Sequence, residues 1–467
     1  MPEVRDMISA IALDLGSTSI KAGLLDPHGN LKNIISIPAP VVQADGGHYE
    51  SDALAYAEKA EQVLAQCLLH AGGLPPLGIC SQRSSFVIWE KATGKPVMPF
   101  ISWQDNRGAE SCVALQPKES IISKLTGLRL TPYFFAPKLR VVLQNNPQWR
   151  AGLICGELLV GTLDTFLIWR WTGGRHHIVD VSMAARTLLM DINQQQWSAE
   201  LCDIFHLPLK ILPEIEASTG LNLKLSNGLS LQASLGDQSA ALVCSVGKDN
   251  ETVLVNLGTG GFVIRYLESA RVNQNGYLRT LVYQDKAHPA SIAVEGTLNS
   301  IATALAAHSV ADCSVNNLAQ DSNIYALAEP SGLGAPYFRT DLGLTFSSPV
   351  EKLSESHMSC LLLEAIIFRV VRILEDFHRD TPVKRIYLSG GLSSLTTLQQ
   401  GIAQCVTQEV FCLENKDASL QGAALLAAGL SLDTHHDVKK VVYVATNVVL
   451  QKKYLRWKQW LDELLAT

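Results

Sequence analysis

The sequence lacks the features that mark nucleic-acid-binding and membrane-spanning proteins. No apolar stretch approaches the about 20 residues that a transmembrane helix requires, and one of the longest is Ala423–Leu430. The net charge of −6 leaves no basic excess that could neutralise the phosphates of a nucleic acid or of an anionic membrane. We therefore expect neither a nucleic-acid partner nor insertion into a membrane.

The ten cysteines are scattered, and no C-x-x-C pair occurs among them. This spacing argues against a disulfide framework and against a zinc site, and it favours buried free thiols in a reducing cytosol. The first six residues also lack the apolar core of a signal peptide. The expected location is cytoplasmic.

A chain of 467 residues is too long for one hydrophobic core, so at least two domains are expected. Residues 11–25 alternate strand, small-residue turn and strand, and the same pattern returns at residues 252–266. We predict an α/β fold with two domains of related design, residues 1–245 and residues 246–467. Each domain should contain a mixed sheet flanked by helices.

Apolar spacing predicts further elements along the chain. Residues 52–71 and 360–377 have helical periodicity, and a helix is also predicted for residues 159–171, ending before Gly173. A helix is expected at residues 420–430, after a strand at residues 410–413.

Two turns have the composition of phosphate-binding loops. Residues 14–19 (Asp-Leu-Gly-Ser-Thr-Ser) and residues 258–261 (Gly-Thr-Gly-Gly) each follow a buried apolar strand. Glycine lets a phosphate approach the backbone, and serine and threonine provide donors. The G-x-x-x-x-G-K-[ST] spacing of a Walker loop is absent, and a single turn of this kind often only closes a hairpin. Asp14, at the end of its strand, could hold Mg²⁺ through water.

Polar and aromatic residues are concentrated in three other segments, Gln82–Arg83, Trp103–Arg107 and Gly236–Gln238. Singly, each is typical of a solvated loop. Together they offer an aromatic face for the C–H surface of a polyol, and Arg, Asp and Gln for its hydroxyls.

These segments, in this order, resemble those of the FGGY carbohydrate kinases, most closely the glycerol-kinase branch. The resemblance covers nearly the whole chain. Besides the segments above it includes residues 93–97, 132–134, 162–169, 185–187, 331–337, 390–391 and 421–424.

The resemblance implies two actin/RNase H-like domains with a central cleft, and ATP-dependent phosphorylation of a small polyol or sugar with Mg²⁺. It implies that Asp237 is the general base and that Asp14 and Asp237 hold the metal. The nucleotide would be contacted by Ser17, Thr18, Ser19, Lys21, Gly258, Thr259, Gly390 and Gly391. The acceptor would be contacted by Arg83, Ser84, Trp103, Tyr133, Asp237 and Gln238. Members of the family often form homodimers or homotetramers, and no interface patch stands out in this sequence.

The chain departs from the glycerol-kinase pattern at several positions. Ser84 replaces the Glu that follows the substrate-binding Arg. This change is expected to weaken the binding of glycerol and to leave room for a longer polyol. Lys21 replaces an Arg, which keeps the charge but loses a bidentate fork. The nucleotide-side helix expected at residues 295–302 carries Asn299, Ser300 and Ala302 in place of apolar residues and a Gly. Leu395 replaces an Asn near the nucleotide.

Three alternatives remain open. The enzyme could be a glycerol kinase proper, in which case glycerol is turned over as fast as any other compound. It could be a sugar-sensing protein that kept the fold and lost the reaction, although Asp14, Asp237 and Thr259 are retained. An actin-like ATPase would leave the acceptor residues without a role.

Overall fold

A computed structural model describes residues 7–268, 276–310, 313–320, 323–432, 438–441 and 447–467. The chain forms two compact units. The first comprises Met1–Gly247, Arg279–Ile292 and Asp417–Thr434, and the second comprises Lys248–Leu278, Ala293–Lys416 and His435–Thr467. Within the described ranges, no helix is both long and apolar enough to cross a bilayer.

The elements of the first half of the chain are mostly short strands followed by helices. In chain order they are β1 (Ala10–Leu15), β2 (Ser19–Leu25), β3 (Leu31–Pro38), β4 (Gln43–Asp45), β5 (His48–Ser51), α1 (Ala53–Leu68), β6 (Leu77–Ser81), β7 (Phe86–Glu90), β8 (Phe100–Ile101), α2 (Ala109–Leu115), α3 (Glu119–Thr126), α4 (Phe135–Asn145), α5 (Pro147–Cys155), β9 (Leu158–Thr162), α6 (Leu163–Trp171), β10 (Ile178–Asp180), α7 (Val181–Ala184), β11 (Met190–Asp191), β12 (Gln196–Trp197), α8 (Ala199–Ile204), β13 (Glu214–Glu216), β14 (Thr219–Lys224), β15 (Ser230–Gly236) and α9 (Asp237–Val246).

The second half repeats the strand-rich opening and then becomes helical. Its elements are β16 (Thr252–Leu257), β17 (Gly261–Leu267), β18 (Leu278–Tyr283), β19 (Ser291–Leu298), α10 (Ile301–Leu305), β20 (Ala326–Ala328), β21 (Leu344–Phe346), α11 (Glu355–Asp380), β22 (Arg385–Ser389), α12 (Thr396–Cys405), β23 (Glu409–Leu413), α13 (Ala418–Ala428), β24 (Val438–Lys440) and α14 (Val448–Ala466).

The strand orders of the two large sheets correspond over six strands, and the second sheet has β18 as a seventh. In the first, order β14-β15-β6-β1-β2-β3, the β1–β2 hairpin is antiparallel and β1, β6 and β15 run parallel. In the second, order β18-β19-β17-β16-β22-β23-β24, the β16–β17 hairpin is antiparallel and β16, β22 and β23 run parallel. In each sheet, an antiparallel strand lies beside the outermost parallel strand: β14 pairs with β15, and β24 pairs with β23. The predicted fold class is confirmed, including the related design of the two domains.

The core of the first unit lies between the six-stranded sheet and α1. Leu13 and Ile20 of the sheet and Val63 and Leu64 of the helix are buried in one apolar cluster. The α1 helix begins after Asp52, whose carboxylate accepts hydrogen bonds from the amides of the first turn. This packing stabilises the sheet whose strand ends carry the predicted site residues.

Helix α13 belongs to the first unit, although it lies near the end of the chain. The predicted division at residue 245 assigned it to the second domain. It packs on α9 and β6, and a Cβ at Gly422 would collide with the carbonyl of Ala240, while one at Gly78 would collide with the carbonyl of Ala423. Backbones come this close only where side chains are absent.

Two predicted helices are wrong in part. Residues 159–162 belong to β9, which pairs with β7, and the helix begins only at Leu163. The expected helix at residues 295–302 is mostly strand, because β19 continues to Leu298 and α10 starts at Ile301. At residues 159–171 a buried strand and a buried helix form one apolar run, and periodicity does not distinguish strand from helix there. The helix at residues 295–302 was expected from the resemblance to the family, and not from the spacing of apolar residues.

Candidate active site

Three neighbouring parallel strands of the first unit end together, and each is followed by predicted site residues. In the register of the sheet, Leu15 of β1 pairs with Ser81 of β6, and Ser81 pairs with Gly236 of β15. Asp14 and its turn, the segment after Ser81, and the segment after Gly236 therefore lie at one edge. Ligands of open α/β sheets bind at such carboxyl ends.

The segments after β6 and β15 meet through their side chains. The guanidinium of Arg83 donates a hydrogen bond from Nη2 to Oε1 of Gln238, and its Nε lies 3.8 Å from Oδ1 of Asp237. The Arg83 side chain is only 4% exposed, whereas that of Asp237 is 35% exposed. A fixed cation thus stands beside a carboxylate that small molecules can reach.

The carboxylate of Asp237 is at the first position of α9, where its Oδ1 accepts a hydrogen bond from the amide of Gln238. The surrounding protein raises the pKa of Asp237 by desolvation, although Arg83 and this amide oppose the change. A raised pKa moves the carboxylate toward the range of a general base at neutral pH.

Asp14 is a second carboxylate at this edge. Desolvation raises its pKa to about 6, the negative charge of Asp237 adds to the effect, and a hydrogen bond from Ser419 opposes it. Oγ of Ser419 donates to Oδ2 of Asp14 at 2.6 Å. Because the charge of Asp237 raises the pKa of Asp14, the two carboxylates are close enough to repel each other.

The N-terminal end of α13 contributes residues that sequence reasoning missed. Ser419 donates a hydrogen bond to Asp14, and Asp417 forms an ion pair with Lys21, in which Oδ1 lies 2.7 Å from Nζ. Lys21 was expected to contact the nucleotide, and here its charge is shared with Asp417. The only signal in the sequence was the position of both residues just before the Gln421–Ala424 segment.

The turn after β1 is built for close approach. A Cβ on Gly16 would lie 2.7 Å from the carbonyl oxygen of Ser19, so the turn requires glycine. Within the described part of the chain, the hydroxyls of Ser17, Thr18 and Ser19 make no hydrogen bond to protein. These donors are available for phosphate oxygens.

Trp103 and Tyr133 form the aromatic part of the site. Their ring centroids are 5.4 Å apart in an edge-to-face arrangement. The amide of Trp103 donates to Oγ of Ser85, and Ser85 donates in turn to Gln82, which follows β6. These two hydrogen bonds therefore connect the Trp103 segment to the residues that follow β6.

Two charged side chains of the Trp103–Arg107 segment, Asp105 and Arg107, do not serve as hydroxyl ligands. Asp105 is buried, and its carboxylate accepts hydrogen bonds from Arg107 and from the amide of Tyr49. Desolvation alone would raise the pKa of Asp105, but these bonds hold it below its usual value. Asp105 and Arg107 thus shape the loop rather than bind a ligand.

Lys138 is fully buried beneath this loop, and its Nζ donates to the carbonyls of Ser102 and Trp103 at 3.0 and 3.4 Å. Burial lowers its pKa to about 7, although Asp105 opposes the shift. The unfolded chain therefore binds more protons than the native protein between about pH 7 and pH 10. The contribution of Lys138 to stability must rise with pH across that window.

Lys138→Met tests this sign. The free energy of unfolding of the wild type, minus that of the variant, is expected to increase from pH 7 to pH 10 with a slope of at most about 1.4 kcal/mol per pH unit. Urea unfolding at several pH values measures it. Lys118→Met, at an exposed lysine, serves as the control and should give no slope. A flat difference for Lys138→Met would contradict a lowered pKa.

Ser84 is buried, and its hydroxyl is already engaged by the protein. Its Oγ donates to the carbonyl of Arg186 at 3.2 Å, and its backbone has a positive φ of 64°. Among the predicted acceptor residues, Arg83, Asp237 and Gln238 are in mutual contact and Trp103 packs on Tyr133, whereas the Ser84 hydroxyl is bonded to backbone.

In the second unit the predicted nucleotide residues lie at the ends of neighbouring strands. Gly258 and Thr259 follow β16, and Gly390 follows β22, which pairs in parallel with β16. A Cβ on Gly390, at φ 88°, would lie 2.5 Å from the carbonyl oxygen of Leu257. Gly391 has open space around it. The two turns are thus adjacent, and Gly390 is required by their close contact.

The remaining departures flank these turns. Ser300 has a left-handed backbone and precedes α10, and the amide of Ala302 donates to the carbonyl of Thr259. Asn299 is bonded through its side chain to the carbonyl of Gly332. Leu395 precedes α12. The amide of Ala302 thus helps to fix the turn at Thr259.

Comparison with known proteins decides the family. The model of the FGGY family of carbohydrate kinases, N-terminal domain, matches residues 9–256, and the corresponding C-terminal domain matches residues 253–430. The chain belongs to the FGGY family of carbohydrate kinases. This kinase is an ATP-dependent phosphotransferase that acts on an alcohol group.

Relatives match this FGGY kinase over almost its whole length. A glycerol kinase of Shewanella baltica strain OS223 is 30% identical over 487 aligned residues, which cover 98% of each chain. A glycerol kinase of Polaromonas sp. is 29% identical, with 91% of each chain covered.

Solved structures share the fold. The glycerol kinase of Plasmodium falciparum, crystallised with ADP, superposes with a TM-score of 0.86 at 23% identity, with 98% of each chain covered. A ligand-bound xylulose kinase of Lactobacillus acidophilus gives 0.82 at 18% identity, again with 98% of each chain covered. At these identities the likeness establishes the fold, which agrees with the predicted class.

Proposed function

We propose that this kinase transfers the terminal phosphoryl group of ATP to a hydroxyl of a small polyol or sugar, with Asp237 as general base. The observation that carries the proposal is the grouping of Arg83, Asp237 and Gln238 at one strand edge, with the carboxylate of Asp237 partly exposed. Arg83 and Gln238 would hold the acceptor hydroxyls, and the Trp103–Tyr133 pair would cover its C–H face.

In the proposed reaction, Asp237 accepts the proton of the attacking hydroxyl. The hydroxyl oxygen forms a bond to the terminal phosphorus, the bond from that phosphorus to the bridging oxygen breaks, and ADP leaves. Positioning supplies most of the rate in such transfers, because the protein has little covalent chemistry to perform. The fixed Arg83 would keep the acceptor oxygen within reach of the base.

The residues present fit a magnesium ion. The raised pKa of Asp14 reflects desolvation first and, in addition, repulsion by the charge of Asp237. No group of three or more candidate ligand side chains occurs among the described residues. Mg²⁺ is commonly held by one or two carboxylates with phosphates and water, and it neutralises phosphate charge. Asp14 and Asp237 would hold it in this way.

We propose that the hydroxyls of Ser17, Thr18 and Ser19 bind phosphate oxygens of the nucleotide, with Lys21 exchanging its ion pair with Asp417 for a phosphate. On the resemblance to the family, we also propose nucleotide contacts for the turn at Gly258–Thr259 and for the open backbone at Gly391. The unpaired hydroxyls and the glycine-dependent turns support these roles.

The acceptor we favour is a polyol or sugar larger than glycerol. Ser84 stands where glycerol kinases carry a Glu, and its hydroxyl is bonded to the backbone of Arg186. A carboxylate that accepts a hydroxyl hydrogen bond contributes about 1.5–3 kcal/mol, which corresponds to about 10–100-fold in turnover of glycerol. Glycerol itself is the second candidate, since the relatives named above are glycerol kinases.

An ADP-release assay across a panel of three- to seven-carbon polyols and ketoses tests the proposal. We expect ADP formation that depends on both acceptor and Mg²⁺, and at least one compound used better than glycerol. Equal use of glycerol and the best other compound would favour the second candidate. Sugar binding by calorimetry without any phosphorylated product would contradict a kinase.

Ser84→Glu is expected to shift preference toward glycerol. The ratio of kcat/KM for glycerol to that for ribitol should rise by about 10–100-fold, because a carboxylate acceptor is restored beside Arg83. Ser84→Ala removes only the bond to Arg186 and should leave the ratio unchanged. An unchanged ratio in Ser84→Glu would place this position outside the acceptor pocket.

We also propose a cytoplasmic location, since all ten cysteines are free thiols, and a homodimer or homotetramer, on the resemblance to the family alone.

A further inference from the structure

A cavity of about 460 Å³ opens in the first unit beside the Trp103–Arg107 segment. It is bounded by the Gly46–Gly47 turn between β4 and β5, the start of α2, the end of α4 and the start of α5. None of the residues assigned above to the acceptor, the metal or the phosphates lines it. Its volume falls within the range of about 300–1,000 Å³ usual for small-molecule sites.

The lining combines an aromatic ring with amides. Trp149 and the buried Val142 provide apolar surface, and Asn106 and Asn145 provide carboxamides. Across the described ranges, these two carboxamides make no hydrogen bond to protein. A carboxamide offers donors and an acceptor together, as a hydroxyl does, and a flat ring covers C–H groups. Such a lining suits a molecule that alternates hydroxyls with C–H faces.

The charges of the lining disfavour an anion. Arg107 is bonded to Asp105 at 2.7 Å and to Glu50 at 2.6 Å, so its positive charge is already balanced. Glu110 adds an exposed carboxylate. A phosphate ester would meet negative potential here, whereas a neutral molecule would not.

We propose that this cavity is a second binding site for a neutral polyhydroxylated compound, a sugar or sugar alcohol, separate from the acceptor site. The lining suits the same chemical class that the kinase phosphorylates, but neither Asp237, the proposed base, nor the residues of the two proposed phosphate turns line it. Binding there would occur without reaction.

The cavity is connected to the acceptor site through one short segment. The amide of Asn106 donates to the carbonyl of Gly47 at 2.9 Å, and the amide of Tyr49 donates to Asp105 at 2.7 Å. Trp103, in the same segment, packs on Tyr133. A ligand that contacts Asn106 therefore acts on the segment that places Trp103, and its occupancy should change KM for the acceptor more than kcat. This last step rests on the proposed function, whereas the binding site does not.

Calorimetric titration without ATP tests the site, with glycerol, ribitol, D-glucose and maltose as probes. Four variants are compared with the wild type. Asn145→Ala and Trp149→Ala alter the cavity, Gln144→Ala is the matched control at an exposed neighbour on α4 that does not line it, and Arg83→Ala removes the acceptor site. Thermal unfolding verifies that each variant is folded.

At least one probe should bind with an affinity that Asn145→Ala weakens by about 3–10-fold, as expected for one lost hydrogen bond. Gln144→Ala and Arg83→Ala should leave that affinity unchanged. The proposal is overturned if Asn145→Ala and Gln144→Ala bind every probe alike, or if Arg83→Ala abolishes all binding. Because the titration measures binding and not turnover, it tests this site even if the proposed kinase reaction is not observed.

Discussion

Asp237→Asn is expected to lower kcat by about 10²–10⁴-fold, the usual contribution of a general base. The carboxamide keeps the size of the side chain and its place at the first position of α9, but it cannot accept the proton of the acceptor hydroxyl. Affinity for ATP in the absence of Mg²⁺ should be little changed, because the phosphate turns are untouched. Steady-state ADP release and equilibrium binding of a fluorescent ATP analogue measure the two quantities separately.

Asp203→Asn is the matched control for this change. Asp203 is an exposed carboxylate of α8 in the same unit, and its replacement should leave kcat at the wild-type value. If Asp237→Asn retained more than about a tenth of the wild-type rate, a loss smaller than general bases show, Asp237 would not be the base.

Glu329→Ala is expected to destabilise the second unit by about 3–5 kcal/mol, the cost of leaving a buried charge without its partner. Oε1 of Glu329 accepts from Nε of Arg369 at 2.6 Å, and both side chains are 1% exposed. Oε2 accepts from the amides of Asn299 and Gly334 at 2.8 Å each. Removal of the carboxylate leaves two amides without an acceptor and the charge of Arg369 without a counterion, since its remaining bonds are from Nη2 to the neutral carbonyls of Thr297 and Ala335.

Hydrogen exchange identifies where the loss falls. Peptides covering residues 291–298 and 326–336 should exchange much faster in Glu329→Ala, while peptides of β1 and β6 should be unaffected. Asp341→Ala breaks the exposed ion pair with Arg339 and should leave exchange unchanged, since solvent-exposed pairs contribute little. Equal protection in Glu329→Ala and the wild type would mean that the pair is dispensable.

Much of the fold was predictable because the strands of both sheets are short apolar runs bounded by turns. The strands of the patterns at residues 11–25 and 252–266, and the strand at residues 410–413, were predicted within a few residues of their observed ends. The prediction failed at residues 159–162, where β9 leads directly into α6. A buried strand followed without a turn by a buried helix presents one apolar run, and periodicity cannot divide it.

Individual residues of the candidate site were predicted only where they belong to a recognisable sequence motif. Asp14, Arg83, Asp237 and Gln238 each follow or end a strand, and the resemblance to the family assigned their roles. Ser419 and Asp417 were missed, because they are far along the chain from their partners Asp14 and Lys21. The burial of Ser84 and the buried cation at Lys138 were also beyond sequence reasoning, since each depends on neighbours from other segments.

The sequence by itself determined the apolar strands, the glycine-dependent turns and the chemical types of the site residues, because these follow from local burial patterns and backbone conformation. Only the tertiary structure decided which strand ends lie side by side, which carboxylate faces Arg83, and that α13 returns to the first unit to bond Asp14. Sheet register and helix docking depend on packing between distant segments. Gly78 and Gly422 permit the close contacts that hold α13 in place, and no local pattern reveals their partners.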